Sequence, residues 1–302
     1  MNTTPPPSRS APNSASEPGA AVETWVPARV GAVSYLNTLP LIEGLGKLAD
    51  LELTLTAPSR LIDLLLSDTV ELALASIIDY QRSPAELELV PAGIIGCDGP
   101  TMTVRIFSRQ PIEQIRTLHA DIDSHTSVAL ASIILAERTG SKPHLIDFDV
   151  DANRAQRESA TPEADWPESV LIIGDKVITD SPPAAIYPHQ LDLGEAWKEL
   201  TGLPFVYAAW MCRAGAIEEG RLRTIARVLD RQRRHNSMRL DWIIAHRAAV
   251  RGWPVEVART YLGDLLRYEP TARHREAVDV FFDRCAALKI IDRREPTRWA
   301  AI

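Results

Sequence analysis

The stretch Arg29-Val-Gly-Ala-Val-Ser-Tyr-Leu-Asn-Thr-Leu-Pro-Leu41 decides how this chain folds. Its first half is a short apolar run that predicts a strand. Polar side chains then follow within five positions: Ser34, Tyr35, Asn37 and Thr38. Pro40 comes next and favours the start of a helix, because proline fits the first helical turn. Polar groups between the carboxyl end of a strand and a helix N-terminus are typical of ligand sites in open α/β sheets.

The composition of the chain restricts the classes of protein to which it can belong. Its 302 residues, of which 45% are hydrophobic, are enough for one large core or for two lobes of ordinary domain size. The net charge is −7, whereas a nucleic-acid-binding protein carries a basic face, so we expect no nucleic-acid partner. No run approaches the roughly 20 apolar residues that span a membrane, so we also expect no membrane segment.

The cysteines and histidines show no spacing typical of a metal site. Cys97, Cys212 and Cys285 lie far apart, which predicts reduced and mostly buried thiols in a cytoplasmic protein. The seven histidines form no HxH or HxxxH group, and the sequence also lacks the usual nucleotide, zinc-hydrolase and acyl-enzyme motifs. We therefore expect neither a metal nor another cofactor.

The first 27 residues differ in composition from the rest. Residues 1–27 are rich in Pro, Ser, Ala and Thr and contain almost no large apolar residue. A secretory signal needs a basic start and an apolar run of about 7–15 residues, and this segment has neither. We interpret it as a disordered leader that lies outside the fold.

Short apolar runs alternate with helical patterns through the body of the chain, which is typical of an α/β fold. The predicted strands are Arg29–Ser34, Leu51–Thr56, Leu72–Ala75, Leu89–Gly93, Thr103–Ser108, Leu118–Asp121, Leu145–Phe148, Val170–Ile173 and Phe205–Trp210. The predicted helices are Leu41–Leu48, Ser59–Ser67, Ile112–Ile115, Ser127–Thr139, Ile217–Arg247, Pro254–Leu262 and Ala272–Leu288. The charged segment 149–168 is interpreted as an exposed insertion.

Several blocks of the sequence resemble one known family. The string YLNTLPL at residues 35–41 resembles the opening signature of the chorismate dehydratases, which act in the futalosine route to menaquinone. Further similar blocks, spread over most of residues 29–285, are Asp98–Ser108, Ala120–Val128, Leu171–Asp175 and Asp192–Tyr207. The resemblance implies the two-lobed fold of type II periplasmic binding proteins, with a ligand cleft between the lobes and C-terminal helices.

The α/β pattern and the resemblance together predict how the lobes divide the chain. Lobe I is expected to be discontinuous, formed by residues 28–115 and 208–302 with the C-terminal helices, and lobe II is expected to span residues 116–207. The crossings between lobes would fall near Ser108–Thr117 and Phe205–Trp210. A cleft between lobes is a common place for a small-molecule site.

Hydroxyl side chains at predicted strand ends and helix starts are the candidate substrate-binding groups, together with Tyr35. They are Ser34, Ser76, Thr103, Thr126 and Ser127. Thr126 and Ser127 stand with Ser124 at the start of a predicted helix, where free backbone N–H groups favour an anion. Thr103 either presents its hydroxyl to the cleft or merely favours a strand. The family usually carries arginine where this chain has His125, which removes a charged contact that the resemblance would imply.

The candidate catalytic residues are Asn37 and Asp175. Asn37 cannot act as a base, so we expect it to orient the substrate or to hydrogen-bond to the leaving oxygen. Asp175 follows an apolar strand and a glycine, where it is either an acid/base or orienting group or an ordinary turn or helix-cap aspartate. The proton acceptor is expected to be either Asp175 or the enolpyruvyl carboxylate of the substrate itself.

The resemblance implies a lyase that dehydrates chorismate to 3-[(1-carboxyvinyl)oxy]benzoate. Removing the ring proton gives an anion that is delocalised into the ring carboxylate, and losing the neighbouring hydroxyl then completes an aromatic ring. The site must therefore hold two carboxylates and assist a leaving hydroxide, and it needs neither a metal nor a strong base. Chorismate is the expected partner, and the chain is expected to be a monomer or a homodimer.

Two other functions remain open for this fold. The first is that of the sister enzyme that makes 1,4-dihydroxy-6-naphthoate, whose family usually carries a Ser-Pro-Cys-Pro-Asn-Asp type opening where this chain has Ser34–Thr38. The second is that of a non-enzymatic binding protein for a small carboxylate. Exported receptors carry a signal sequence and transcriptional regulators carry a helix-turn-helix, and the sequence shows neither pattern.

Overall fold

The structure, a computed structural model, describes residues 1, 26–159, 166–218 and 220–302. The predicted disordered leader therefore lies almost wholly outside the described residues. Within them, the strands are β1 (Ala28–Val33), β2 (Leu51–Thr56), β3 (Leu72–Ser76), β4 (Leu87–Cys97), β5 (Val104–Ser108), β6 (Thr117–Asp121), β7 (His144–Phe148), β8 (Ser169–Ile173), β9 (His189–Asp192), β10 (Phe205–Arg213) and β11 (Leu266–Arg267).

The α-helices within the described residues connect these strands and follow the last of them. They are α1 (Leu39–Ile42), α2 (Leu61–Leu66), α3 (Asp79–Arg82), α4 (His125–Thr139), α5 (Val150–Ser159), α6 (Lys176–Thr179), α7 (Leu193–Thr201), α8 (Gly220–Ser237), α9 (Leu240–Arg247), α10 (Val255–Arg259) and α11 (Ala272–Ala287). None of the helices in the described ranges combines the length and the apolar character that a membrane span requires.

The strands form two sheets, which confirms the predicted α/β class. The first sheet has the order β11-β4-β10-β3-β1-β2, and the second has the order β7-β6-β8-β5-β9. β1 runs parallel to β2 and β3, while β10 runs antiparallel to β3 and β4. In the second sheet β6 is parallel to β7 and β8, and β5 is antiparallel to β8 and β9.

The first sheet is covered by helices because both faces of its central strands are apolar. Val30 and Ala32 of β1 pack in one cluster of buried side chains with residues of α8, whereas Val33 packs in another cluster with residues of α2. Gly31 lies between them, and a Cβ at this position would come within 2.9 Å of the Leu61 side chain. The glycine therefore lets α2 lie close to the sheet. The three cysteines are buried and unpaired, as predicted.

Each predicted strand corresponds to a strand of the structure, but the helix predicted over Leu41–Leu48 is replaced by α1 and a 3-10 turn at Leu45–Lys47, and α3 and α6 were not predicted. The short edge strands β9 and β11 were not predicted, and part of the supposed insertion 149–168 forms α5. The predicted helix Ile217–Arg247 is divided into α8 and α9. The first crossing was expected near Ser108–Thr117, but Val104–Ser108 pairs within the second sheet, so the chain changes sheets between Cys97 and Val104. The strand propensity of 104–108 does not reveal which sheet it joins.

A single buried carboxylate joins the two segments that pass between the sheets. Asp192 accepts hydrogen bonds from the backbone N–H groups of Thr101 at 2.9 Å and Met102 at 2.6 Å. It also caps α7 by accepting from the N–H groups of Gly194 at 3.0 Å and Glu195 at 3.2 Å. Since Thr101 and Met102 lie on the outward crossing and α7 begins the return, Asp192 holds both crossings together.

We expect the substitution Asp192→Ala to lower the free energy of unfolding by about 2–4 kcal/mol, because it removes a helix cap and leaves buried N–H groups without acceptors. The matched control is Asp98→Ala. Asp98 pairs with Lys198 at the surface, and such exposed pairs contribute less than about 1 kcal/mol. Urea unfolding of both variants measures the difference, and equal losses would show that Asp192 is not the stabilising link.

Candidate active site

A narrow cavity of ≈ 40 Å³ lies between the two sheets, beside the carboxyl ends of β1, β3 and β8. It has room for only a few water molecules, so a ligand of ten or more heavy atoms enters only if the lobes move apart. Five of the predicted site residues line it: Tyr35, Asn37, Ser76, Thr103 and Ser127. The structure thus brings together groups that lie far apart in the sequence.

The other predicted site residues lie outside this cavity lining. Ser34 lies just beyond the end of β1, is exposed and does not line the cavity. Thr126 is buried and its hydroxyl oxygen accepts from the backbone N–H of Ile78 at 3.3 Å. The Asp175 carboxylate accepts from the backbone N–H of Leu36, at 3.2 and 3.1 Å to its two oxygens. Thr126 and Asp175 therefore connect the lobes beside the cavity.

Sequence reasoning missed several polar residues of the cavity. Thr101, Tyr207 and Tyr261 also line it, and Ser124, noted only as part of the hydroxyl cluster, does so too. Tyr261 falls within the predicted helix Pro254–Leu262, and no local pattern distinguishes a tyrosine that packs from one that faces a cavity. The described residues that line the cavity are all uncharged.

The hydroxyls of the cavity are arranged in close pairs. The Thr103 and Tyr261 oxygens lie 2.6 Å apart, and the Thr101 and Tyr207 oxygens also lie 2.6 Å apart. Ser124 caps α4, since its oxygen accepts from the backbone N–H of Ser127 at 3.2 Å. Its hydroxyl also donates to the Ser127 hydroxyl at 2.9 Å. These groups can donate to or accept from a ligand without carrying a net charge.

The lobes are joined around the cavity by hydrogen bonds between loops of the two sheets. Four of them we call the rim contacts: Tyr35–Asp123 (2.9 Å), Leu36–Asp175 (3.1 and 3.2 Å), Ile78–Thr126 (3.3 Å) and Asp79–His125 (2.8 Å). In each pair, one residue follows a strand of the first sheet and the other follows a strand of the second. The rim contacts therefore exist only when the lobes are closed.

The Tyr35 contact is supported by a buried ion cluster in the second lobe. The Tyr35 phenol donates to Asp123, and Lys176 Nζ lies 2.8 Å from Asp123 and 2.8 Å from Asp121. Burial, together with the neighbouring carboxylates, raises the pKa of Tyr35 far above its usual value. Tyr35 is therefore a hydrogen-bond donor and not a base at neutral pH.

His125, which stands where the family resemblance implies arginine, contacts Asp79. His125 Nδ1 lies 2.8 Å from Asp79 Oδ1, and the hydrogen bond to this aspartate raises the pKa of His125. Burial raises the pKa of Asp79 in turn. His125 therefore holds the rim of the closed cleft, and it is not part of the cavity lining.

No metal site accompanies the cavity in the described part of the chain. Over residues 1, 26–159, 166–218 and 220–302, no group of three or more His, Cys, Asp and Glu side chains is placed to hold a metal ion. The chemistry that the cavity offers is hydrogen bonding from neutral hydroxyl, phenol and amide groups, next to the N-terminus of α4.

We expect Gly174→Ala to destabilise the closed lobes. Gly174 has a φ of +67°, and a Cβ there would lie 2.7 Å from the Tyr35 ring. The matched control is Gly140→Ala, because Gly140 has a φ of +77° but no atom within 4 Å of the added Cβ. Both variants carry the left-handed backbone strain of about 1–2 kcal/mol.

The clash should cost Gly174→Ala about 1–3 kcal/mol more than the control. Urea unfolding of the two variants gives this difference. If Gly174→Ala and Gly140→Ala lost the same free energy of unfolding, the Tyr35 ring would not be packed against Gly174 in solution.

Solved structures with similar folds include a protein described as having the generic periplasmic binding protein fold. An Archaeoglobus fulgidus protein aligns with a TM-score of 0.66 at 16% identity, covering 87% of this chain and 98% of that protein. The alkanesulfonate-binding protein of Xanthomonas axonopodis aligns with a TM-score of 0.62 at 14% identity, covering 87% and 93%. A Candida albicans protein with the generic periplasmic binding protein fold aligns at 0.59 and 11% identity, covering 89% and 92%. These likenesses confirm the predicted fold.

Sequence comparison identifies the family. A chorismate dehydratase of Thermus thermophilus is 29% identical to this chain over an alignment of 198 residues that covers 61% of this chain and 69% of the relative. The sequence model of a family described as "Menaquinone biosynthesis" matches residues 28–287, which contain both sheets and the whole cavity. The chain belongs to this menaquinone biosynthesis family.

Proposed function

We propose that the protein dehydrates chorismate to 3-[(1-carboxyvinyl)oxy]benzoate in the futalosine pathway of menaquinone biosynthesis. The proposal is supported by the family, by the Thermus relative and by the cavity. The observation that carries it is the uncharged, hydroxyl-rich lining around Asn37, between lobes that close by the rim contacts. A cytoplasmic location and a monomeric or homodimeric state are part of the same proposal.

The proposed reaction does not require a charged side chain at the reacting atoms. The ring proton goes to an acceptor, the electron pair of that C–H bond enters the ring, and the neighbouring C–O bond breaks with its electron pair on oxygen. Proton and hydroxide leave together as one water, and the ring becomes aromatic. Neutral donors that are already oriented stabilise the charge that develops on the leaving oxygen and on the ring carboxylate.

The lining offers separate places for these oxygens. The start of α4, with Ser124 and Ser127, presents hydroxyls beside free backbone N–H groups, which suits a carboxylate. We assign Asn37 the role of donating a hydrogen bond to the leaving oxygen. Its amide lies on the segment after β1, which belongs to the first lobe, whereas α4 belongs to the second. Ser76 and Tyr35 complete the polar lining and orient the ring.

We propose the substrate's own enolpyruvyl carboxylate as the proton acceptor. Burial raises the pKa of Asp175, as a base would require, but its carboxylate lies outside the cavity lining and accepts from Leu36 N–H. An ionised aspartate inside the cavity would also repel a substrate with two carboxylates. The side chains that line the cavity include no carboxylate and no imidazole among the described residues.

Incubation of the purified protein with chorismate tests the function directly. We expect the absorbance of the cyclohexadiene to disappear and the aromatic benzoate product to appear in equal amount, with no added metal or cofactor. If a folded preparation left chorismate unchanged, the proposed activity would be wrong, and binding without turnover would favour the small-carboxylate-binding alternative.

We predict that Asn37→Ala lowers kcat by ~10²–10³, the usual effect of removing one oriented donor to a developing oxyanion. The matched control is Asn153→Ala on α5, whose amide oxygen accepts from Arg157 far from the cavity. Steady-state rates and melting temperatures of both variants decide the question. A wild-type rate for Asn37→Ala would remove Asn37 from the mechanism.

We predict that Asp175→Asn retains chemistry. Its amide oxygen can still accept from Leu36 N–H, so we expect only a modest loss in kcat and nearly normal affinity. Asp175→Ala, which removes this acceptor, should weaken substrate binding more, because a rim contact is lost. Single-turnover rates and chorismate affinity of both variants provide the comparison, and abolished chemistry with normal binding in Asp175→Asn would make Asp175 the base.

A further inference from the structure

The C-terminal part of the chain contributes a wall of the cavity through Tyr261. This residue lies in a π-helical turn, Thr260–Leu265, that directly follows α10. Tyr261 is 1% exposed, and it lines the cavity together with Leu266. Short π-helical turns are often found at functional sites, because they change the direction of a side chain within a helix.

The position of the Tyr261 ring is fixed by its packing. The ring stacks on Trp253 with centroids 5.0 Å apart and an interplanar angle of 9°. Both rings belong to a cluster of buried side chains with Leu36 and Leu39, which flank Asn37 in the sequence. The phenol oxygen is therefore held in a fixed place relative to the Asn37 amide.

The Thr103–Tyr261 pair has one hydroxyl proton that the hydrogen bond within the pair does not use. The two hydroxyls carry two protons, and the 2.6 Å bond between their oxygens uses one of them. The other can be donated to a ligand oxygen in the cavity that both side chains line. Burial raises the pKa of Tyr261, opposed by hydrogen bonding from Thr103 and Asn37, so the phenol keeps its proton at neutral pH.

We propose that Tyr261, paired with Thr103, donates a hydrogen bond to the hydroxyl of the substrate that leaves, on the same side of the cavity as Asn37. The inference rests on the proposed function and names a further residue for that reaction. Tyr261 remains protonated throughout, because the departing oxygen takes the electron pair of the C–O bond and water is completed by the ring proton. The neutral Thr103–Tyr261 pair suits a neutral hydroxyl, whereas the start of α4 suits a carboxylate.

The chain offers a matched control in Tyr268. Tyr268 lies shortly after the π-helical turn that contains Tyr261. Its hydroxyl is also buried, but it has no hydrogen-bond partner within the described residues and does not line the cavity. Removing it leaves no group unpaired, so Tyr268→Phe should leave activity unchanged. Tyr261→Phe keeps the stack on Trp253 and removes only the phenol oxygen.

The experiment measures kcat, KM and melting temperature for Tyr261→Phe, Tyr268→Phe, Thr103→Val and Thr103→Ser with chorismate. We expect Tyr261→Phe to lower kcat by ~10²-fold at a nearly unchanged KM, as for a donor that acts in the transition state. Thr103→Ser should retain most activity and Thr103→Val should lose it. The double variant Tyr261→Phe/Thr103→Val should be little worse than Tyr261→Phe, because the two hydroxyls act as one unit.

Each other result contradicts the proposal in a distinct way. Equal kcat values for Tyr261→Phe and Tyr268→Phe would show that the Tyr261 phenol has no part in the reaction. A raised KM at normal kcat would show that it binds the substrate uniformly and does not assist the leaving group. A folded wild-type protein that does not convert chorismate would instead overturn the proposed function, and this assignment with it.

Discussion

The carboxylate of Asp192 is the interaction on which the two-lobed architecture depends. Four backbone N–H groups donate to it, from Thr101 and Met102 on the outward crossing and from the start of α7 on the return. Gly194 allows this approach, since a Cβ there would lie 2.1 Å from the Thr101 hydroxyl. The same outward crossing carries Thr101 and Thr103 into the cavity, so the link between the lobes also positions part of the site.

Charged side chains lie at the rim of the cavity and not in its lining. Ionisable pairs occupy the rim, where Asp79 meets His125 and where Asp123 with Lys176 supports the Tyr35 contact, while the cavity lining is neutral. For the proposed substrate, which has two carboxylates, this arrangement avoids like-charge repulsion at the ring and still fixes the lobes by contacts of charged side chains. Specificity within the cavity then depends on the direction of hydroxyl and amide groups, which the stacked Trp253 and Tyr261 rings help to set.

The sequence predicts the strands well, because each buried strand is an apolar run with a clear end. Asn37, Ser76 and Ser127 were found in the same way, since each follows a strand or begins a helix and so lies at the edge of a sheet. Tyr261 and Tyr207 were not found, because their place at the cavity depends on packing between elements distant in the sequence. Ser34 shows the opposite limit: it directly precedes the YLNTLPL string and was expected at the site, but it lies beyond the end of β1 and is exposed.

The sequence also does not predict that β5 joins the second sheet. A strand's apolar pattern is identical whichever sheet it joins, and only its partners β8 and β9, the latter a short edge strand, decide the matter. The crossing at Cys97–Val104 therefore depends on tertiary pairing and on the Asp192 bonds, neither of which has a local signature.

The rim contacts have a consequence for the rate of the whole cycle. The cavity is too small for the proposed substrate with the lobes held as they are, so rim contacts have to break before substrate enters and again before product leaves. A stronger rim would hold the substrate more tightly but would also trap the product, and the slow step would then be the parting of the lobes. The four contacts are hydrogen bonds of ordinary length, two between side chains and two between a side chain and a backbone N–H, so each can break and form again.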